Sequence, residues 1–268
     1  MRNKKLKIAL IQISASASPE RNLKMALLMM EKALRQKIDM ICLPEVFLLR
    51  GPSELYSKYA EPIPGPMSKI LSQFCSQNKV SLLAGSLVER YKGKIFNTAV
   101  FFNKSGKIIS KYRKIHLFKT LFKNKKNVDE TKTFDSGKNV VYFQYLGWKF
   151  GMSICYDLRF PELYRKLSEN QADVIFVPSN FTHHTGKDHW ECLLRARAIE
   201  NQAYVIAPNQ CGKMPQTNLK IFGNSMIIDP WGKVLKRAGQ NESIIIDYIE
   251  YPHLERIRKN FPVLHSKK

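Results

Sequence analysis

Cys155 ends an apolar run, Trp148 to Ile154, and a polar turn, Tyr156-Asp157, follows it. Pro161 and Glu162 then mark a helix start, with a proline at a first position and an acid in the first turn. The thiol therefore stands at a strand-to-helix turn, where free backbone N–H groups can bind an oxyanion. Glu45 follows Ile41-Cys-Leu-Pro44, so its carboxylate also lies just past an apolar strand, at the same end of a sheet. Lys114 sits in Tyr112-Arg-Lys-Ile-His116, after Ile108-Ile109. Taken singly, the three read as a buried small hydrophobe, a loop charge and a solvated lysine. Taken together, they form a complete acyl-transfer set. A thiol of pKa ~8.5 needs help to become a thiolate at neutral pH. A carboxylate can take its proton, and an ammonium can hold the charge that develops on a carbonyl oxygen.

Three long motifs surround these residues: Leu43-Pro-Glu45, Tyr112-Arg-Lys-Ile-His-Leu117 and Gly151-Met-Ser-Ile-Cys-Tyr-Asp-Leu-Arg-Phe-Pro-Glu162. Further stretches follow in order: Pro178-Ser-Asn-Phe-Thr182, Thr185-Gly186, His189-Trp190, Leu193 to Gln202, and Asp229-Pro-Trp-Gly232. In these, over nearly its whole length, the chain resembles the nitrilase superfamily of carbon–nitrogen hydrolases. The resemblance implies an α/β fold, a four-layer αββα sandwich that dimerises. It also implies Glu45 as general base, Cys155 as nucleophile and Lys114 as stabiliser of the tetrahedral intermediate, with the Tyr156 N–H completing the oxyanion hole. A second glutamate of the family falls on Glu130, within Asp129-Glu130-Thr-Lys-Thr133. A loop acid paired to a nearby lysine is the competing reading there.

Within the superfamily, the resemblance is nearest to the omega-amidase and deaminated-glutathione amidase branch. In that branch, an arginine four residues after the nucleophile binds the substrate carboxylate, and Arg159 holds that position. A planar guanidinium suits a carboxylate; a structural pair with Glu162 is the alternative. Phe181 and Thr185 match further substrate-pocket positions, although Phe181 reads equally well as core. The implied reaction is cysteine-dependent amide hydrolysis through a thioester, releasing ammonia from a small 2-oxo acid amide such as deaminated glutathione or 2-oxoglutaramate. N-carbamoyl hydrolysis and nitrile hydrolysis are the neighbouring alternatives. Two departures bear on the substrate: Lys119 stands where an aspartate is common, and Asn224 where a histidine is.

The elements that must position these groups can be read from apolar patterning. Strands are expected at Lys7–Ile13, Ile38–Leu43, Val80–Leu87, Ile95–Asn103, Val140–Tyr145, Trp148–Ile154, Val174–Pro178, Ala203–Pro208, Ser225–Ile228 and Ser243–Asp247. Several show little alternation, as strands covered on both faces do. Helices are expected at Pro19–Gln36, Pro66–Gln77, Pro161–Asn170 and Asp188–Asn201, the first capped by Ser18. Turn signals at Lys104-Ser-Gly106 and Asp229-Pro-Trp-Gly232 separate strand pairs. Residues 119–139 read as a charged excursion near the site. No composition break divides the chain, so residues 1–268 are expected to form one domain.

The 268 residues suffice for a sizeable core, and 44% hydrophobic with 25% charged is ordinary globular composition. Five cysteines at irregular spacing point to free thiols in a reducing, cytoplasmic setting. The basic amino terminus has too short an apolar run for a secretory signal and reads as a first strand; no run is long enough for a membrane span. His183, His184, His189 and Cys192 do not have the spacing of a closed metal site, and the chemistry requires no cofactor. The net charge is +22, and residues 103–126 hold nine Lys or Arg and no acid. A second reading is therefore a catalytically silent basic protein that binds nucleic acid or an anionic surface. The basic residues are not interleaved with stacking aromatics, and no specific nucleic-acid partner is expected. The expected partners are a small-molecule amide and a second copy, or more, of the chain.

Overall fold

The computed structural model describes residues 4–121, 128–214 and 219–265. In chain order, β1 (Lys5–Gln12), α1 (Pro19–Leu34), β2 (Met40–Cys42), α2 (Ser53–Tyr59) and α3 (Pro66–Asn78) come first. Next are β3 (Ser81–Leu83), β4 (Leu87–Tyr91), β5 (Lys94–Phe102), β6 (Ile108–Arg113), β7 (Val141–Tyr145) and β8 (Trp148–Met152). Then follow α4 (Pro161–Glu169), β9 (Val174–Phe176), α5 (His183–Asn201), β10 (Tyr204–Ala207), β11 (Met226–Ile228), β12 (Val234–Arg237), β13 (Ser243–Glu250) and α6 (Tyr251–Asn260).

Two sheets result. One has the order β13-β1-β2-β3-β5-β4; the other is β12-β11-β10-β9-β8-β7. Thr98 of β5 pairs with Leu87 of β4 on one edge and Arg113 of β6 on the other, so β6 flanks β5 opposite β3 and β4. The strands that lead to the chemistry, β2 and β8, run parallel to their neighbours β1 and β9. Loops at the carboxyl ends of such strands are the usual place for a site in an α/β sheet.

Side-chain alternation builds the layers. Leu6, Ile8 and Leu10 of β1 join a cluster that also holds Trp148, Phe150, Val174 and Phe176 from the second sheet. Ala9 and Ile11, on the other face of β1, pack with Leu23, Ala26 and Met30 of α1 and with Leu71 and Phe74 of α3. The outer face of the second sheet packs on Leu163 and Leu167 of α4 and Trp190 and Leu194 of α5. The result is αββα, as the motifs implied. Aromatic rings fill the gap between sheets: Phe101 lies 4.7 Å from Phe143 and 5.9 Å from Phe150, centroid to centroid.

Local rules explain the boundaries. Ser18 Oγ accepts the Arg21 N–H at 3.3 Å, with Pro19 opening α1. The run expected as one strand over Val80–Leu87 is two, β3 and β4. Gly85 at φ +40° breaks it, and a Cβ there would lie 1.9 Å from the Pro44 carbonyl oxygen. The strand pair around Lys104-Ser-Gly106 is β5 and β6; that around Asp229-Pro-Trp-Gly232 is β11 and β12. Helix α5 starts at His183, one turn or more before the expected Asp188. Among the described residues, no helix is long and apolar enough to cross a membrane.

Candidate active site

Cys155 is the first residue of a short 3-10 turn, Cys155–Arg159, directly beyond β8. Its φ is +47°, an uncommon conformation for a residue with a side chain. The backbone holds it there: Cys155 N–H donates to Pro178 O at 3.0 Å, and Phe160 N–H closes the turn onto Asp157 O at 3.0 Å. This geometry lifts the thiol off the strand end, next to the N–H groups that begin the turn.

Glu45 and Lys114 meet beside it. Lys114 Nζ donates to Glu45 Oε1 at 2.7 Å and to Glu130 Oε2 at 2.8 Å. Glu45 is further fixed by Asn97 Nδ2, 2.9 Å from Oε1, and by the Asn180 N–H, 2.8 Å from Oε2. Gln210 Nε2 donates to the Glu45 carbonyl at 2.7 Å. Glu130 accepts the Phe118 N–H at 2.7 Å. A lysine that is 1% exposed thus lies between two carboxylates, and nearly every acceptor of the cluster has a donor, as buried charge requires.

The electrostatics follow. Burial opposes the Lys114 charge, but Glu130 and Glu45 outweigh it and hold its pKa well above the ordinary lysine value. Burial raises the Glu130 pKa; Lys114 opposes that rise and Glu45 adds to it. Burial, reinforced by Glu45, pushes the Cys155 thiol well above its usual range, while Lys114 and the Asn180 N–H pull the other way. Both directions favour the protonated thiol beside the Lys114 ammonium.

Two cavities meet at Cys155. The larger, ≈ 270 Å³, is lined by Glu45, Glu130 and Cys155, with Tyr56, Phe134 and Leu219 among its apolar walls. The smaller, ≈ 20 Å³, is lined by Phe118, Cys155, Tyr156, Arg159, Asn180, Phe181, Thr182 and Thr185. Four residues, Phe118, Cys155, Asn180 and Thr182, line both. The Arg159 guanidinium lies 5.3 Å from the Phe181 ring centre and 3.1 Å from His189 Nδ1. Among the described residues, no group of three or more His, Cys, Asp or Glu side chains is arranged to hold a metal.

A profile of the carbon–nitrogen hydrolase family matches residues 7–259. The chain belongs to that family. Deaminated glutathione amidase of Synechocystis sp. is 38% identical over 264 residues, 97% of each chain. Mouse omega-amidase NIT2 is 34% identical over 262 residues, 98% of this chain and 95% of that protein. The crystal structure of Saccharomyces cerevisiae Nit3, a member of branch 10 of the nitrilase superfamily, matches with TM-score 0.89 at 32% identity. That match covers 100% of this chain and 97% of the other. The chain is thus a carbon–nitrogen hydrolase with amidase relatives, which does not favour a silent binding protein.

Within this hydrolase, all eight residues singled out from sequence lie around one point. Glu45, Lys114 and Glu130 form the charged cluster at the mouth of the Cys155 turn. Tyr156, Arg159, Phe181 and Thr185 line the smaller cavity with Cys155. Phe181 is both core and wall, being 4% exposed. Among the described residues, no ion pair joins Arg159 to Glu162. The charged excursion lies partly outside the described residues, but Val128, Asp129, Thr133 and Phe134 from it line the larger cavity. Lys119 pairs with Asp129 at 3.4 Å, next to Glu130. Asn224 accepts Arg237 Nε at 3.0 Å and does not line either cavity. Sequence reading gave no part to Asn97, Asn180, Gln210 or Tyr56. Asn180 stands in the quoted Pro178–Thr182 motif, which was its one signal; Asn97 and Tyr56 had none.

Proposed function

We propose that this chain is a cysteine-dependent amidase of small 2-oxo acid amides, working through a thioester. The observation that carries this reading is the place of Cys155: it stands between the Lys114–Glu45–Glu130 cluster and a small cavity whose cation is Arg159. The substrate carboxylate pairs with Arg159, and the amide carbonyl comes to rest over Sγ. Glu45 takes the thiol proton as Sγ bonds to the carbonyl carbon. The carbonyl oxygen becomes an oxyanion held by Lys114 Nζ and the Tyr156 N–H. Lys114 Nζ has three N–H bonds and lies 2.7 Å from Glu45 Oε1 and 2.8 and 3.1 Å from the two Glu130 oxygens. The oxyanion takes the N–H that makes the longest of these contacts, to Glu130 Oε1, while Glu130 keeps its bond through Oε2. Protonated Glu45 returns its proton to the amide nitrogen as the C–N bond breaks. Ammonia leaves from an unsubstituted amide such as 2-oxoglutaramate. The amide nitrogen of deaminated glutathione is substituted, so an amine leaves there instead of the ammonia expected from sequence, and the larger cavity has room for it. Glu45 then deprotonates a water that attacks the thioester carbon, and the acid departs as Sγ regains its proton.

The chain acts as a single hydrolase domain and as a homodimer. An exposed apolar face supports self-association: Trp231 is 61% and Phe261 53% exposed, with ring centres 5.8 Å apart. All five cysteines are free thiols, which suits the reducing cytoplasm. The test is turnover of 2-oxoglutaramate and deaminated glutathione by the wild type beside Cys155→Ala. The wild type should turn over both, and Cys155→Ala should lose at least ~10³-fold in kcat while melting like the wild type. A ureido acid or nitrile hydrolysed much faster than either amide would replace this substrate assignment, and equal rates in the two proteins would remove Cys155 from the reaction.

A further inference from the structure

Lys114 and Cys155 belong to different sheets. Lys114 follows β6 of the first and Cys155 follows β8 of the second. Among the described residues, no ladder of backbone hydrogen bonds joins the two sheets, so the distance from ammonium to thiol is set by what bridges them. Glu45 is one bridge, between Lys114 Nζ and the Asn180 N–H; a second side chain reaches both flanks of Lys114. Asp157 is fully buried, two residues beyond Cys155. Its carboxylate accepts the Ile154 N–H at 2.9 Å, on the other flank of the nucleophile. It also accepts the Tyr112 hydroxyl at 2.7 Å and the His116 N–H at 3.0 Å, and His116 Nδ1 lies 2.7 Å from Oδ1. Tyr112 and His116 are the residues two before and two after Lys114. One carboxylate therefore ties both flanks of the cation to the turn that carries the thiol. The His116 ring is stacked on Phe160, which ends that turn, with centroids 3.6 Å apart and planes at 6°. None of Asp157, Tyr112 and His116 lines either cavity, so none can touch a substrate held there.

We propose that Asp157, acting through Tyr112 and His116, is a positioning residue that sets the Lys114 ammonium at the distance from Cys155 that an oxyanion requires. The proposal rests on the cysteine-amidase reading above. The physical argument is stiffness. A buried carboxylate is costly to uncover, so its donors remain locked to it. Charge-assisted bonds of 2.7 Å on both sides leave the two loops little freedom to drift apart. Misplacement of a reacting group by about 1 Å costs on the order of 10²-fold in rate. A clamp of this kind acts on the transition state, since a substrate anchored by Arg159 binds whether or not Lys114 is well aimed.

The experiment compares Tyr112→Phe, Asp157→Asn and the double variant, each checked for melting. Turnover of 2-oxoglutaramate is measured, together with alkylation of Cys155 by iodoacetamide, followed by mass spectrometry. Tyr112→Phe removes one oxygen and should lower kcat about 10-fold, with KM changed less than ~3-fold. Asp157→Asn should lower kcat on the order of 10²-fold. The double variant should be no worse than Asp157→Asn, because both act through one network. Alkylation needs no oxyanion site and should stay near the wild-type rate. An unchanged kcat in folded variants overturns the proposal, as does a loss confined to KM. A parallel loss of alkylation also overturns it, by showing that the turn itself has collapsed. Where Asp157→Asn does not fold, Tyr112→Phe decides alone. Succinic semialdehyde separates the two readings, since its hemithioacetal needs the oxyanion site but no turnover. If the wild type hydrolyses no amide, the amidase reading fails; the clamp then stands or falls on whether the variants weaken this adduct about 10-fold or bind it as the wild type does.

Discussion

Arg159 offers the sharpest separation of binding from chemistry at a single side chain. Its guanidinium lies 5.3 Å from the Phe181 ring centre, with NH1 against His189, and it faces the smaller cavity opposite the charged cluster. A lysine there keeps the charge but loses the planar fork and the stacking. Arg159→Lys should raise KM for 2-oxoglutaramate by about 10-fold, the order of one charge-assisted hydrogen bond, with kcat little changed. Steady-state kinetics on 2-oxoglutaramate and on an amide of similar length without the carboxylate check this. An equal loss on both would mean that Arg159 supports the turn and does not bind the carboxylate. Residues at this scale were legible unevenly. Cys155, Glu45 and Lys114 stand out because each follows an apolar strand and each brings a group that acyl transfer needs. Asn97 does not: it is one polar residue inside β5, between Phe96 and Thr98, and an asparagine that fixes a carboxylate looks like any other. Asp157 stood in a quoted motif, but its work depends on Tyr112 and His116, and no local pattern shows which strand end it will meet.

At the scale of elements, the same limit appears as a rule about stripes. Helices α1 and α3 were read from sequence because each has an apolar face to bury, whereas α2 has no buried residue and α6 only Leu254 and Ile257. Without a stripe, periodicity has nothing to detect. Strand β12 is partly exposed throughout, so the turn at Asp229-Pro-Trp-Gly232 implies it while apolar patterning gives it no bounds. The turn at Lys104-Ser-Gly106 implies strand β6, which its ladder with β5 holds, but one side-chain link that also ties it to β4 lies in no single window of sequence. Glu89 of β4 is 1% exposed and reaches across β5: it accepts Thr98 Oγ1 of β5 at 2.8 Å and Arg113 Nε of β6 at 2.7 Å. Lys111 of β6 lies 3.4 Å from its other oxygen. Burial opposes the Glu89 charge, but the Arg113 and Thr98 bonds outweigh it and set its pKa below the ordinary value. The sign is that of a depressed carboxyl: the stabilisation is present above the unfolded-state pKa and disappears as pH falls through the folded-state value. Glu89→Gln should therefore destabilise by about 2 kcal/mol at pH 7, below the usual range for a broken buried pair because Arg113 and Lys111 are partly solvated. The difference from wild type should shrink toward zero below about pH 4. Urea unfolding at the two pH values measures it; a gap that stays constant with pH would mean that shape and not charge is what Glu89 contributes.

For the whole molecule, the homodimer proposed above has a net charge of +22 per chain to overcome. Two copies brought together repel, and the repulsion is screened only over about 8 Å at physiological salt. In the proposed dimer the apolar face of Trp231 and Phe261 offsets it. Ile199 of α5 belongs to the same face: a Cβ on Gly232, next to Trp231, would meet its side chain at 2.5 Å, and Ile199 is 47% exposed. The rim is basic, with Lys233 and Arg256 beside these rings. Hydrophobic contact is strengthened by added salt and like-charge repulsion is weakened, so both terms move the same way. Self-association should accordingly tighten several-fold between about 50 mM and 500 mM salt, the reverse of what counterion release gives a protein bound to nucleic acid. Trp231→Glu buries a carboxylate in that face and should yield a monomer at all salt concentrations with its melting temperature nearly unchanged, since the side chain contributes little to its own core. Light scattering behind size-exclusion chromatography reads both effects. A dimer that persists in Trp231→Glu moves the interface elsewhere, and a dimer that loosens with salt assigns its cohesion to ion pairs instead of to this apolar face.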